Sequence, residues 1–168
     1  QIGDVLLTTP LIHAARQRWP GARIEVTAFP GTLAILDGNP DIDARIPLAP
    51  RLGLAGFLRL VARLWRRYDL ALVADPGDRA HAVGWIAARE RAGLVSTENR
   101  GHRWKAGLLH HAVPLDGDRG TTHVVTERLK LLAPWAETPT TTVEPRVVPP
   151  AARPLPADIA ARLRPGHV

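Results

Sequence analysis

Cysteine and methionine are absent from the 168 residues, tyrosine occurs once and phenylalanine twice. Without cysteine there is no disulfide, no thiol nucleophile and no thiolate metal site, and the chain suits a reducing compartment. No apolar run reaches the ~20 residues needed to span a bilayer, because Arg, Asp, Gly or Pro interrupts each one. Asp4 breaks the first apolar segment and no basic leader precedes it, so no secretory leader is expected in this stretch. Neither the G-x-G-x-x-G nor the P-loop pattern occurs, which argues against a self-contained nucleotide site. No two of the seven histidines stand three or four apart on one helix face, and His110-His111 reads as loop without a carboxylate pair nearby, so no metal site is expected. The five tryptophans do not alternate with cations along a strand, as single-stranded nucleic-acid binding would favour.

What is present is ordinary globular composition, 45% hydrophobic and 23% charged, with a net charge of +6 carried almost entirely by arginine. Such an excess favours an anionic partner. Ile2 to Trp19 reads as helix, with Pro10 kinking it or setting its effective first turn. Arg23 to Ala28 alternates as a strand, Thr32 to Asp37 reads as a short helix, and Ala44 to Leu48 as a proline-bearing edge strand. In the next helix Leu54, Phe57, Leu58, Val61, Leu64, Trp65 and Tyr68 fall on one face, and Arg59, Arg63, Arg66 and Arg67 on the other. Leu70 to Ala74 reads as a buried parallel strand that ends in the turn Asp75-Pro76-Gly77-Asp78-Arg79 before a helix over Ala80 to Ala88.

Ala92 to Val95 predicts a weaker strand and Ser96 to Gly120 a long basic loop containing Trp104 and Lys105. Thr121 or Thr122 is expected to cap a last helix that buries Val124, Val125, Leu129 and Leu132, with His123 capping or packing at its mouth. This alternation predicts an α/β fold, a Rossmann-like doubly wound parallel sheet over residues 1–135, and residues 136–168 read as a proline-rich linker. Ligands of such sheets lie at the carboxyl ends of the strands. Gly3-Asp4, Asp75 to Arg79 and Ser96 to Arg100 all fall on that rim. The strand that would feed Gly3-Asp4 is missing, so the natural protein is expected to begin earlier. Asp4 itself has two readings, a helix cap or a carboxylate presented by a glycine turn to a cleft.

The ordered pattern IGDVLLTTPLIHAARQRWPGARI, followed by GNPDID at Gly38 to Asp43, YDLALVADPGDR at Tyr68 to Arg79 and HVVTERLKLLAP from His123, resembles the ADP-heptose:lipopolysaccharide heptosyltransferases, glycosyltransferase family 9. The resemblance implies the N-terminal, acceptor-binding half of a two-domain GT-B enzyme, with the ADP-heptose donor bound by a C-terminal domain outside these residues and no other cofactor. It implies an inverting transfer in which Asp4, on the Gly3 turn, is the general base. Gly3, Arg51, Asp78, Arg79 and Arg100 would bind an anionic inner-core sugar-lipid acceptor, Arg51 being followed here by Leu52-Gly53 rather than by further cations. The 168 residues alone are expected to be inactive; the alternative is a non-catalytic module that binds anionic glycolipid. A cytoplasmic location follows, with no nucleic-acid partner; the Arg59, Arg63, Arg66 and Arg67 face has two readings, an ordinary solvated helix face or peripheral contact with the anionic inner face of the inner membrane.

Overall fold

A computed structural model of the chain describes residues 2–51, 53–96, 103–115, 123–136 and 148. The first helical segment is broken in two, α1 at Ile2–Leu6 and α2 at Thr9–Arg18. The cause is local: Pro10 has no N–H for the carbonyl of Leu6, and the Thr9 hydroxyl donates to that carbonyl instead at 2.8 Å. Thr8 does the same for the carbonyl of Asp4 at 2.7 Å. Gly3 and Asp4 therefore sit inside a short helix rather than in the glycine turn expected from sequence, and Gly3 keeps an ordinary negative-φ backbone.

Among the described residues five strands follow, in two parallel groups. In the first, β1 (Glu25–Ala28) pairs with β2 (Ala44–Pro47), Glu25 opposite Ala44 and Ala28 opposite Pro47. In the second, β3 (Tyr68–Val73), β4 (Ala88–Ser96) and β5 (His111–Leu115) lie in chain order, with Val73 opposite Gly93 and Ser96 opposite Leu115. Between β1 and β2 run α3 (Pro30–Leu33) and a 3-10 turn at Ala34–Leu36; between β2 and β3 runs α4 (Leu54–Leu64). α5 (Asp78–Ala87) links β3 to β4, α6 (Arg103–Ala106) precedes β5, and α7 (Val124–Leu129) closes the fold with a 3-10 extension at Lys130–Trp135.

The parallel α/β class expected from the alternation is what forms, with helices on both faces of the strands. β3 shows why. Leu72 and Ala74 point to a core made with Leu11, Ala14 and Ala15 of α2 and with Val125, Leu129 and Leu132, whereas Val73 and Ala71 approach Gly84 of α5. The second core joins Ile46 and Leu48 at β2 to Leu64 of α4 and to Val83, Ile86 and Ala87 of α5. A Cβ on Gly84 would stand 2.7 Å from a methyl of Val73. Gly84→Val is therefore expected to destabilise the fold by about 1–3 kcal/mol through overpacking, read as a lowered denaturant midpoint; an unchanged midpoint would mean that α5 and β3 are not in such close contact.

Several local expectations change. Ser96 to Gly120 is not all loop, since it contains α6 and β5, and β4 is nine residues long rather than four. His111 opens β5 and does face a carboxylate, Glu90, at 3.1 Å. The cap of α7 is His123, whose Nδ1 accepts from the N–H of Val125 at 3.2 Å, and Val124 is exposed. Thr121, Thr122 and nearly all of the linker lie outside the described residues. The Gly38-Asn39-Pro40-Asp41-Ile42-Asp43 segment pins α2 to β1: Asp41 pairs with His13 at 2.8 Å, and Asp43 accepts from Arg16 at 2.6 Å and from the N–H of Ile24 at 2.7 Å.

The starts of β1 and β3 meet through side chains, the Tyr68 hydroxyl donating to Glu25 at 2.6 Å while Arg23 donates to the other carboxylate oxygen at 2.7 Å. The hydrogen bond from Tyr68 holds Glu25 below its ordinary pKa; burial, with that hydrogen bond, pushes the Tyr68 phenol up to about 12. A raised folded-state pKa means stability that is whole below pH ~10, the unfolded value, and is lost as pH rises toward about 12. Since Tyr68 is the only tyrosine, phenolate absorbance reads it alone. Its midpoint is expected near 12, moving to ~10 in denaturant; a native midpoint equal to the denatured one would show that the Glu25 contact is not formed.

Candidate functional site

The carboxyl ends of the strands gather three chain segments: Leu48 to Arg51 after β2, Ala74 to Arg79 after β3, and Phe29 after β1. The second of these is tightly folded. Asp75 Oδ1 accepts the N–H of Gly77 at 2.6 Å, an Asx turn that replaces a backbone bond. Gly77 is the N-cap of α5, and a Cβ there would come within 2.8 Å of that same oxygen, so glycine fits where a larger residue would displace the carboxylate.

Lys105 locks the turn from below. Its side chain is 2% exposed, and its ammonium donates to the carbonyl of Pro76 at 2.7 Å and to Asp78 at 2.6 Å. Asp78 heads α5, where a carboxylate also suits the positive helix end. Beside it, His81 is buried; Nδ1 donates to the carbonyl of Gly77 at 3.0 Å, and Nε2 has no partner.

Arg79 acts as a brace. One guanidinium nitrogen donates to the carbonyl of Pro50 at 2.7 Å, another to that of Ala49, and the group stands 5.6 Å over the ring of Phe29. The fork thus fixes the outlets of β1 and β2 against α5, and Arg51, next along the chain, is left exposed.

Asp4 enters from α1 and is held from the far end of the chain. Arg128 of α7, buried to 8% side-chain exposure, donates through Nη1 to the carbonyl of Asp4 and places Nη2 3.4 Å from its carboxylate, which is itself 60% exposed. Burial pulls the Arg128 pKa down, and the charges of Asp4, Asp75 and Glu127 pull it back up. With one donor to its backbone from Arg128 and another from Thr8, Asp4 is fixed at the main chain while its carboxylate faces solvent. A Cβ on Gly3 would meet nothing within 4 Å, so the space at Gly3 is open.

Of the residues singled out from sequence, Asp78 and Arg79 share the turn after β3, and Arg51 follows the β2 outlet that Arg79 braces. The charges of Asp4 and Asp75 both act on Arg128. Arg100 lies outside the described residues. Arg128 and Lys105 were not anticipated. The signal for Arg128 was a cation on the apolar stripe of α7, between the buried Val125 and Leu132. For Lys105 it was chemical economy: lysine occurs only twice in a chain with 20 arginines, and a compact ammonium fits a buried point contact that a planar guanidinium does not. Among the described residues no three His, Asp or Glu gather to hold a metal ion.

Comparison with known proteins finds relatives in sequence and in fold. No family model matches the chain. It is 31% identical over 140 residues to "Lipopolysaccharide heptosyltransferase 3" of Escherichia coli K12, covering 79% of this chain and 39% of that protein. Among solved structures it resembles the family 9 glycosyltransferase of Veillonella parvula, with TM-score 0.72 at 21% identity over 88% of this chain and 42% of that one. It also resembles the E. coli heptosyltransferase WaaC bound to ADP-2-deoxy-2-fluoro heptose, with TM-score 0.64 at 16% identity over 85% of this chain and 48% of that one. The chain is thus a relative of the lipopolysaccharide heptosyltransferases, carries the fold of part of a GT-B glycosyltransferase, and spans about two fifths of the curated relatives' length.

Proposed function

We propose, from this kinship, that the chain is the acceptor side of an inverting glycosyltransferase that moves heptose from ADP-heptose to an anionic inner-core lipopolysaccharide acceptor. The observation that carries the reading is Asp4: main chain clamped by Arg128 and Thr8, carboxylate open to solvent, with open space at the neighbouring Gly3. A base of this kind takes the proton of an acceptor hydroxyl as that oxygen bonds to the anomeric carbon; the bond from that carbon to the donor phosphate breaks, and ADP leaves with the electron pair. The donor half of the site belongs to sequence beyond this chain.

In this reading Arg51 contacts a phosphate or carboxylate of the acceptor, Arg79 positions the loop that carries it, and Lys105 with Asp78 fixes the neighbouring turn. Gly3 supplies room, and Arg100 is a second acceptor cation. The test is transfer from ADP-heptose to a deacylated inner-core acceptor by the protein with its flanking sequence. Heptosylated product supports the reading. Product only from another nucleotide sugar would retain the fold assignment and overturn the substrate; no product from any donor, with acceptor still bound, would favour a binding module.

A further inference from the structure

Phe29 is a large apolar residue that neither core uses. It follows β1, takes no part in the two hydrophobic clusters and is 43% exposed. Its main chain is nonetheless held firmly. The carbonyl of Phe29, the N-cap residue of α3, accepts from the N–H of Thr32 at 2.9 Å, from the Thr32 hydroxyl at 2.9 Å and from the N–H of Leu33 at 3.2 Å. Pro30 opens α3, where its fixed φ suits the first helical turn. The ring is held as well. The guanidinium of Arg79 stands 5.6 Å over it, and both terminal nitrogens of that guanidinium are anchored on the carbonyls of Ala49 and Pro50.

A ring fixed in this way is pre-organised for a ligand. A molecule that covers it gains apolar burial without having to order the side chain. The face of an aromatic ring carries partial negative charge, which attracts the polarised C–H groups of a sugar as it attracts a cation. The surroundings of Phe29 fit such a ligand. Arg51, exposed, follows the Pro50 carbonyl that anchors Arg79. α3 packs against α1, the helix that bears Asp4. A Cβ on Gly31 would meet nothing within 4 Å, so the space at that turn is open.

We propose that Phe29 is a specificity-determining platform on which the C–H face of a pyranose ring of the acceptor lies, with an acid group of that sugar or its neighbour on Arg51. Arg79 is then a positioning residue. Its terminal nitrogens serve main-chain carbonyls, and it acts on the acceptor through the ring that it holds. The selected ligand is a sugar with an unobstructed C–H face next to a carboxylate or phosphate; an acid without such a ring gains only the Arg51 contact. This inference rests on the acceptor reading of the rim and adds to it what the rim selects.

The experiment measures binding of a deacylated inner-core oligosaccharide, its KM and kcat as acceptor, and the melting temperature, for the native protein with its flanking sequence, Phe29→Leu and Phe29→Trp. Leucine keeps an apolar side chain but removes the ring, and tryptophan restores a flat aromatic face. Phe29→Leu is expected to bind the oligosaccharide about 2–12-fold more weakly, the range for a stacked aromatic contact beyond its buried area. Its KM should rise by the same factor, with kcat and melting temperature little changed, and Phe29→Trp should bind within about twofold of native. Native protein that binds and uses the acceptor, matched by Phe29→Leu, would overturn the platform and leave the acceptor reading standing. Both variants losing kcat and melting temperature together would also overturn it, since the ring would then only support the fold. Native protein that neither binds nor uses the acceptor would overturn the acceptor reading and this inference with it.

Discussion

Lys105→Met is expected to lower stability by about 2–4 kcal/mol. The ammonium is buried and makes two charge-assisted contacts, one to the carbonyl of Pro76 and one to Asp78. Methionine fills much the same volume but leaves the Pro76 carbonyl without its donor, and a hydrogen bond to a charged group contributes about 1.5–3 kcal/mol. The Asp78 contribution is smaller because that carboxylate is 69% exposed and solvent screens it. For a chain of this size each kcal/mol shifts Tm by about 2–4 °C, so thermal unfolding should start roughly 4–16 °C earlier. Lys105→Arg should also destabilise, because the longer planar group cannot occupy the same point. A melting temperature unchanged in both variants would mean that the turn after β3 holds itself through Asp75 and Gly77 alone.

The same turn shows how far the sequence could be read. Leu70 to Ala74 reads as a strand because a short run without polar residues suits a parallel strand buried on both faces, and Pro76-Gly77 marks its end. α2, β1, β2 and α5 were legible from periodicity and from prolines at their ends. β5 was not: His111, Ala112, Val113, Pro114 and Leu115 include an edge-strand proline and follow a short helix, so the segment carries no clear alternation. The first half of β4, Ala88-Arg89-Glu90-Arg91, carries no strand pattern, and Ala88 reads as the end of the preceding helix. It pairs because Arg91 turns back on the chain, donating to the carbonyls of Ala88, Arg89 and Leu108.

At the site, Asp4 and the turn residues could be found locally, whereas the Arg128 contact joins residues 124 positions apart and depends on the fold being closed. The α4 face misled for a related reason. Periodicity identifies an apolar stripe but not what covers it, and here two helices, α4 and α5, share a core that takes only the Leu64 edge of the stripe fully.

Asp4→Asn should reduce heptose transfer by about 10²–10⁴-fold, the range for losing a positioned general base, in the protein with its flanking sequence. Asparagine is nearly isosteric and keeps the backbone carbonyl that Arg128 and Thr8 hold. The loss should therefore fall on kcat, with acceptor KM and melting temperature little changed. A helix cap or structural carboxylate would behave in the opposite way, lowering stability with transfer largely intact. Asp4→Glu retains a carboxylate but extends it by one methylene, and is expected to lie between, since displacement of a base by about 1 Å costs up to about 10²-fold.

The most direct measurement is the rate of sugar transfer at saturating acceptor and donor for native protein and Asp4→Asn, with acceptor affinity measured on the same preparations. A rate lower by at least about 10²-fold with unchanged affinity is the expected result. A rate within a few-fold of native would contradict the assignment of Asp4 as the base and return it to a structural role at the start of the chain.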